Sequence, residues 1–188
     1  METKQPEKIR ILGFAGSLRK GSYNKMLLRA ARELAPEQME LEIFDLEGIP
    51  PFNQDLEKNP HEKVKEFKEK IQAADGLLIV TPEYNYSIPG VLKNAIDAAS
   101  RPYGTSPFGG KPVAIMSASI GMLGGARAQY HLRQSLVFLD AYPINHPEIM
   151  VAFVEQKFDQ EGRLTDEATR AKLKELLAAL VGWVNKLR

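Results

Sequence analysis

The segment Gly76–Thr81, with the sequence GLLIVT, constrains the fold more than any other part of the chain. Its apolar residues follow one another without the alternation that is typical of a strand with one solvent-exposed face. A continuous apolar run of this kind predicts a strand that is covered on both faces, as in the middle of a parallel sheet. We therefore expect this segment to be the central strand of the protein.

Strand-like and helix-like patterns alternate on both sides of the central segment. Short apolar runs predict further strands over residues 9–14, 41–44, 113–116 and, with interruptions, 142–154. Apolar residues at helical spacing predict helices around residues 26–34, 64–71, 91–99, 132–139 and 173–187, and Pro89 suits the first turn of the third helix. The alternation predicts an α/β fold, a doubly wound five-stranded parallel sheet of flavodoxin-like order with helices on both faces.

Composition narrows the classes of function. The chain of 188 residues is 44% hydrophobic and 26% charged, which is typical of one globular domain over residues 1–188. A net charge of +1 argues against nucleic-acid and membrane partners. The absence of cysteine excludes thiolate metal sites and cysteine nucleophiles, so redox chemistry would require a cofactor. No apolar run approaches the roughly 20 residues of a membrane helix, and we expect a cytoplasmic protein.

The loop after the first predicted strand contains many groups that can bind an anion. It holds two glycines, and Ser17, Arg19, Ser22 and Asn24 supply polar side chains that can donate to an anion. A helix follows directly, so its free N–H groups and its positive dipole end lie at the same place, where a phosphate would fit. The alternative is that Ser22 or Asn24 only caps the helix while Arg19 is a solvated surface charge.

Two common phosphate motifs do not match this loop. Gly16 and Gly21 have the spacing of a P-loop, but Ser22 and Tyr23 stand where that motif requires Lys and then Ser or Thr. The dinucleotide-binding fingerprint fails as well, because two residues separate Gly13 from Gly16 instead of one. A monophosphate is therefore the better candidate than a nucleoside triphosphate or a dinucleotide.

Two later loops are suited to a planar ring. The loop after the central strand contains Pro82, Glu83, Tyr84 and Asn85, whose rings and backbone N–H groups could border a heterocycle. The loop after the fourth strand, residues 117–125, is rich in glycine and serine and would allow the other ring edge to approach closely. The alternatives are tyrosines that cover the core and glycines that only serve a turn. Together the three loops describe a site for flavin mononucleotide (FMN).

The sequence resembles the NADPH-dependent FMN reductases, which include chromate and quinone reductases and related azoreductases. The resemblance covers nearly the whole chain and rests on GSLR at residues 16–19, on Ser22 and Asn24, and on PEYNYSIPGVLKNAID at residues 82–97. It implies non-covalent FMN with its phosphate among Ser17, Arg19, Ser22 and Asn24. It also implies an isoalloxazine ring bordered by Pro82, Glu83, Tyr84, Asn85, Ser117 and Gly121. Glu83 would bond the imide edge of the ring or face water.

The activity implied is electron transfer from NADPH or NADH to small acceptors such as quinones, azo or nitro compounds, and chromate. Hydride would pass to N5 of the flavin and the donor would leave before the acceptor binds, which is a ping-pong scheme with no catalytic side chain. The three histidines, His61, His131 and His146, are scattered, and we expect no metal site. The rival functions are a flavin reductase that supplies a monooxygenase, a flavodoxin-type carrier, and an interaction module without a ligand. The near-neutral charge argues against the carrier.

The resemblance also implies a homodimer or homotetramer. The predicted fourth helix carries Arg127 and Tyr130 among small residues, and these could form an intersubunit network near the flavin with Tyr86 and Glu148. The alternative is a set of ordinary surface pairs within one chain.

Overall fold

The computed structural model describes residues 8–188, which alternate between strands and helices along the chain. The strands are β1 (Ile9–Ala15), β2 (Met39–Phe44), β3 (Gly76–Thr81), β4 (Pro112–Ala118), β5 (Tyr142–Pro143) and β6 (Ile149–Val151). The helices are α1 (Tyr23–Glu33), α2 (Glu62–Ala73), α3 (Gly90–Ala99), α4 (Ala126–Phe138) and α5 (Glu167–Leu187). Short 3₁₀ turns lie at Gln54–Leu56 and Val154–Gln156.

The strands form one parallel sheet in the order β2-β1-β3-β4-β5, and β6 also pairs with β4. All six residues of β3 are buried, and this strand lies between β1 and β4. The predicted central strand and the flavodoxin-like fold class are therefore confirmed.

The fifth predicted strand is divided into β5 and β6, which pair with opposite ends of β4. Pro147 lies in the gap, and a proline cannot donate a backbone hydrogen bond to a neighbouring strand. The sheet therefore has six strand segments, although the last two together fill a single position beside β4. Pro89, expected in the first turn of α3, lies one residue before the helix begins.

Two hydrophobic layers cover the sheet. On one face α1 and α5 pack through residues such as Leu27, Leu28 and Leu177. On the other face α2, α3 and α4 pack through residues such as Phe67, Leu92 and Leu132. β3 and β4 are buried at every residue between the layers, which is why their sequences show no polar alternation. The edge strand β2 does alternate, and its Glu40 and Glu42 are exposed. Among the described helices, none is long and apolar enough to cross a membrane.

Candidate functional site

The carboxyl ends of three neighbouring strands bring the predicted loops together. Ala15 of β1 pairs with Val80 of β3, and Thr81 of β3 pairs with Ser117 of β4. The loops that follow these strands therefore leave the sheet side by side. This edge of an open parallel sheet is where such folds bind ligands. The three loops are named here the first loop (residues 16–22), the ring loop (82–89) and the third loop (119–125).

The first loop carries both a helix cap and free polar groups. The Ser22 hydroxyl accepts a hydrogen bond of 3.4 Å from the backbone N–H of Lys25, so the capping role expected as one alternative is present. Ser17 is buried, yet none of the side-chain hydrogen bonds found within residues 8–188 involves its hydroxyl. The Arg19 side chain is exposed, with its guanidinium carbon 5.9 Å from the centre of the Tyr23 ring. Just before α1, the structure thus places a buried Ser17 hydroxyl without a side-chain hydrogen bond beside an exposed Arg19.

Asn24 is used inside the protein. Its side-chain nitrogen donates to the carbonyl of Ala118 at 3.0 Å, and its side-chain oxygen accepts from the N–H of Ala118 at 3.0 Å. This paired contact joins the start of α1 to the end of β4. The Asn24 amide therefore has at most one N–H left for a ligand, and its main role is to hold the first loop against the third.

The ring loop turns sharply at its tip. Tyr84 and Ser87 exchange backbone hydrogen bonds of 3.0 and 2.9 Å, and the two residues between them have positive φ angles, 50° for Asn85 and 67° for Tyr86. These are the features of a type I′ turn, which asparagine tolerates and which is strained for tyrosine. The turn presents the side chains of Tyr84 and Tyr86, which are 54% and 65% exposed. Pro82 is buried at the base of the loop.

Glu83 has a partner that neither sequence interpretation predicted. One carboxylate oxygen accepts from the backbone N–H groups of Arg127 and Ala128, at 3.1 and 3.4 Å. The other accepts from the Arg127 guanidinium at 2.8 Å. Both oxygens are therefore engaged at the start of α4, and the expected bond to the ring or to water stays a prediction. The carboxylate uses three of its roughly four acceptor sites in these bonds, so the backbone of Glu83 is more readily available to a ring than its side chain.

Ser117, at the base of the third loop, is also committed to the fold. It is completely buried, its hydroxyl donates to the carbonyl of Gly124 at 2.6 Å, and it accepts from the side chain of Gln129 at 2.8 Å. A side-chain contact from Ser117 to a ligand is therefore not available. Gly121, by contrast, is exposed in the same loop and has room around its Cα.

Two glycines of the third loop, Gly124 and Gly125, are required by the local structure. Gly124 and Gly125 have φ angles of 58° and 88°, and an added Cβ would lie 2.7 Å from the backbone of Met150 or 2.8 Å from the side chain of Ser117. Close packing and backbone conformation thus both require glycine there. Gly16 in the first loop is similar, since a Cβ would lie 2.9 Å from Leu92 of α3.

The residues at this edge fit FMN. The first loop offers the Ser17 hydroxyl, the Arg19 guanidinium and the N–H groups at the start of α1 for a phosphate. The ring and third loops add apolar and aromatic side chains that face solvent, those of Tyr84, Tyr86, Ile120, Met122 and Leu123. Exposed apolar side chains gathered at one edge indicate a surface that is covered by a ligand or a partner.

Of three contacts that α4 makes at this site, those of Arg127 and Tyr130 match the alternative of surface pairs within one chain, and only that of His131 was not predicted. The Arg127 guanidinium lies 3.8 Å from the centre of the Tyr86 ring, and Nδ1 of His131 lies 2.9 Å from the hydroxyl of Ser87. His131, which is exposed, therefore contacts the ring loop. Tyr130 donates to Glu148 at 3.2 Å within the same chain. No signal in the sequence indicated the contact of His131 with Ser87.

Comparisons with known proteins agree in family and fold. A family model for NADPH-dependent FMN reductase matches residues 9–156. An NAD(P)H-dependent FMN reductase of Pseudomonas aeruginosa is 52% identical over 96% of this chain and 97% of its own length. A 2-hydroxy-1,4-benzoquinone reductase of a Burkholderia species is 44% identical over 96% and 98%. The solved structure of a flavoenzyme NAD(P)H:(acceptor) oxidoreductase from Paracoccus denitrificans superposes with a TM-score of 0.88 and 35% identity, covering 95% and 98% of the two chains.

Proposed function

This chain belongs to the NADPH-dependent FMN reductase family, and from that premise we propose that it reduces quinones. It is an oxidoreductase that uses FMN and NAD(P)H. The choice of acceptor is supported by a relative at 44% identity whose name specifies a benzoquinone. Azo compounds, nitro compounds and chromate form a second group of candidate acceptors, because an exposed apolar rim places few limits on acceptor shape.

We assign the FMN phosphate to the first loop. Arg19 would supply charge-assisted hydrogen bonds, and Ser17, Ser22 and the free N–H groups of α1 would donate further ones. Asn24 would hold this loop in place through Ala118 and could donate with its remaining N–H. The observation that carries the assignment is the buried Ser17 beside an exposed Arg19 at a helix start.

We assign the isoalloxazine ring to the space between the ring loop and the third loop. Pro82, Tyr84, the backbone of Glu83 and Asn85, and Gly121 would border it. Bound FMN supplies the chemistry of hydride acceptance and two-electron donation. The chain contributes orientation and exclusion of water, and leaves one face of the ring open for the donor and then for the acceptor.

The test of the proposed acceptor is steady-state oxidation of NADPH and of NADH by the FMN-loaded protein, with 1,4-benzoquinone as acceptor. We expect parallel lines in double-reciprocal plots, the signature of a ping-pong scheme. Azo, nitro and chromate acceptors are compared at equal concentration. Bound FMN without turnover of any of these acceptors would favour the electron-carrier function instead.

A second candidate function is a flavin reductase that releases reduced FMN to a monooxygenase. The observation in its favour is the relative at 52% identity, which is named as an FMN reductase. The two functions differ in how FMN behaves. A quinone reductase retains FMN through gel filtration and turns over without added flavin, whereas a flavin reductase shows a rate that saturates with free FMN.

The phosphate assignment predicts that Arg19→Ala weakens FMN binding. Loss of a charge-assisted hydrogen bond costs about 1.5–3 kcal/mol, so the Kd should rise roughly tenfold or more. The measurement is quenching of FMN fluorescence in a titration with the apoprotein. Lys20→Ala, which removes the neighbouring exposed cation, is the matched control and should change the Kd far less. An unchanged Kd for Arg19→Ala would remove the assignment.

For the assembly and the location in the cell we propose a homodimer or homotetramer in the cytoplasm. The outer face of α4 carries Tyr130, Val137 and Phe138, which are large and exposed and would be covered by another subunit. The lack of cysteine suits a reducing compartment. Light scattering coupled to gel filtration tests the assembly, and a mass of 21.0 kDa at micromolar concentration would exclude it.

A further inference from the structure

We infer that Glu83 is a positioning residue, which orients the ring loop through Arg127 instead of contacting the flavin. This inference rests on the proposed function and assigns Glu83 a different role within the same site. The starting observation is that a carboxylate from the loop after β3 supplies the cap of α4. The N-cap residue of that helix, Gly125, has no side chain and makes no capping hydrogen bond of its own.

The charge of Glu83 is stabilised by its surroundings. Its side chain is only 13% exposed and lies among three N–H donors, two of the backbone of α4 and one of the Arg127 side chain. The helix start is a favourable place for a carboxylate, and the guanidinium adds a charge-assisted bond. The base of the ring loop is therefore fastened to α4 by a partly buried ion pair.

Arg127 also contacts the tip of the ring loop. The same guanidinium that pairs with Glu83 lies 3.8 Å from the centre of the Tyr86 ring, within the range of a cation–π contact. Tyr86 has a φ of 67°, a conformation that a tyrosine does not adopt without external support. Arg127 provides such support, and Glu83 fixes the position of Arg127.

These contacts have a consequence for the binding of FMN. Glu83, Arg127 and Tyr86 connect the base of the ring loop, the start of α4 and the tip of the turn. Loosening this connection would allow the turn of Tyr84 to Ser87 to move, while the first loop, which is held by Asn24, would stay in place. A loss at Glu83 should therefore weaken the binding of the ring and leave the binding of the phosphate unchanged.

The experiment compares the binding of FMN and of riboflavin, which lacks the phosphate, to the apoproteins of wild type, Glu83→Gln and Arg127→Gln. Both variants should raise the Kd of both ligands by a similar factor, about tenfold, which corresponds to about 1.4 kcal/mol. The ratio of the two Kd values should match that of the wild type. In Arg19→Ala, by contrast, only the Kd of FMN should rise.

The double variant Glu83→Gln/Arg127→Gln distinguishes action through Arg127 from direct contact. If Glu83 acts through Arg127, the double variant binds both ligands about as well as either single variant, because the two residues form one unit. Additive losses would mean that Glu83 contacts the flavin itself, and would overturn the inference. An unchanged riboflavin Kd in Glu83→Gln would also overturn the inference. A rise of the Kd in Glu83→Gln that Arg127→Gln does not share would do the same.

Thermal unfolding of the apoproteins controls for a role in folding alone. Glutamine keeps an oxygen that can accept from the backbone N–H groups of α4, so Glu83→Gln should fold. If it does not, Arg127→Gln alone tests the inference, since it removes the guanidinium and keeps the backbone N–H that Glu83 caps. A wild-type protein that binds neither ligand would instead contradict the proposed function, which keeps the two failures separate.

Discussion

At the scale of single residues, polar side chains in this protein hold loops in place by bonding to backbone groups of distant segments. Asn24 bonds to a residue 94 positions away, and Glu83 bonds to Arg127, which is 44 positions away. Hydrogen bonds to charged groups are roughly twice as strong as those between neutral groups, so Glu83 holds its loop more strongly than Asn24 does. Asp166 has a comparable role at the start of α5, which it caps.

Asp166 makes the stability of the protein dependent on pH. The Lys157 ammonium and the hydroxyl and N–H of Thr169 bond to its carboxylate and lower its pKa from 3.8 to about 2. Because the folded state favours the ionised form, this stabilisation is present above about pH 4 and is lost as the pH falls towards 2.

We expect Asp166→Ala to lower the free energy of unfolding by about 1 kcal/mol at pH 7, the usual cost of losing a helix cap. The difference from wild type should shrink between pH 4 and pH 2, as measured by urea denaturation. Asp97→Ala is the control, because Asp97 forms an exposed pair with Lys93 that should contribute less than about 0.5 kcal/mol. A constant difference across this pH range would contradict the assignment.

At the scale of secondary-structure elements, glycines differ in what they do. Gly182 lies in the middle of α5, is exposed, and would have no atom within 4 Å of an added Cβ. Gly124 has a φ of 58°, and its Cβ would lie 2.7 Å from the backbone of Met150. Gly182 therefore only lowers the stability of the helix, whereas Gly124 is required by the turn before α4.

We therefore predict opposite signs for two alanine substitutions. Gly182→Ala should raise the free energy of unfolding by roughly 0.5–1 kcal/mol, the difference between glycine and alanine in a helix interior. Gly124→Ala should lower it by more than about 1 kcal/mol through backbone strain and the close contact. Urea denaturation of both variants measures the two effects, and equal signs would refute this explanation of the glycines.

The sequence predicted the elements well because burial leaves a local pattern. The unbroken apolar run of β3 and the helical spacing in α5 are readable from a few neighbouring residues. The division of the last strand was predicted as an interruption, but its two short segments depend on pairing with β4. Contacts such as Glu83 with Arg127 leave no local pattern, so the sequence alone did not predict this partner of Glu83.

At the scale of the whole molecule, the order of the strands brings together loops that are distant in sequence. β1 and β4 flank β3, so the first, ring and third loops meet at one edge of the sheet. A ligand that spans this edge contacts segments from three separate parts of the chain. Its binding should therefore stabilise the whole fold and not only one loop.

We expect FMN at a concentration of 100 times its Kd to raise the Tm by about 5–10 °C, since ligand binding at that level contributes about 2.7 kcal/mol. Riboflavin at the same concentration should raise the Tm less, because it lacks the phosphate that the first loop would bind. Differential scanning fluorimetry without an added dye, using the tryptophan signal of Trp183, measures both. Equal shifts for the two ligands would argue against a phosphate site.

The bond between Asn24 and Ala118 has a consequence for the exchange of a bound cofactor. Because it ties α1 to the end of β4, the two segments beside the proposed phosphate site should behave as one rigid frame. Entry and departure of a nucleotide must then depend on the tyrosine-bearing turn, which is anchored through side chains of α4. The half-life of the holoprotein should accordingly be governed by the tyrosine turn and hardly by the frame.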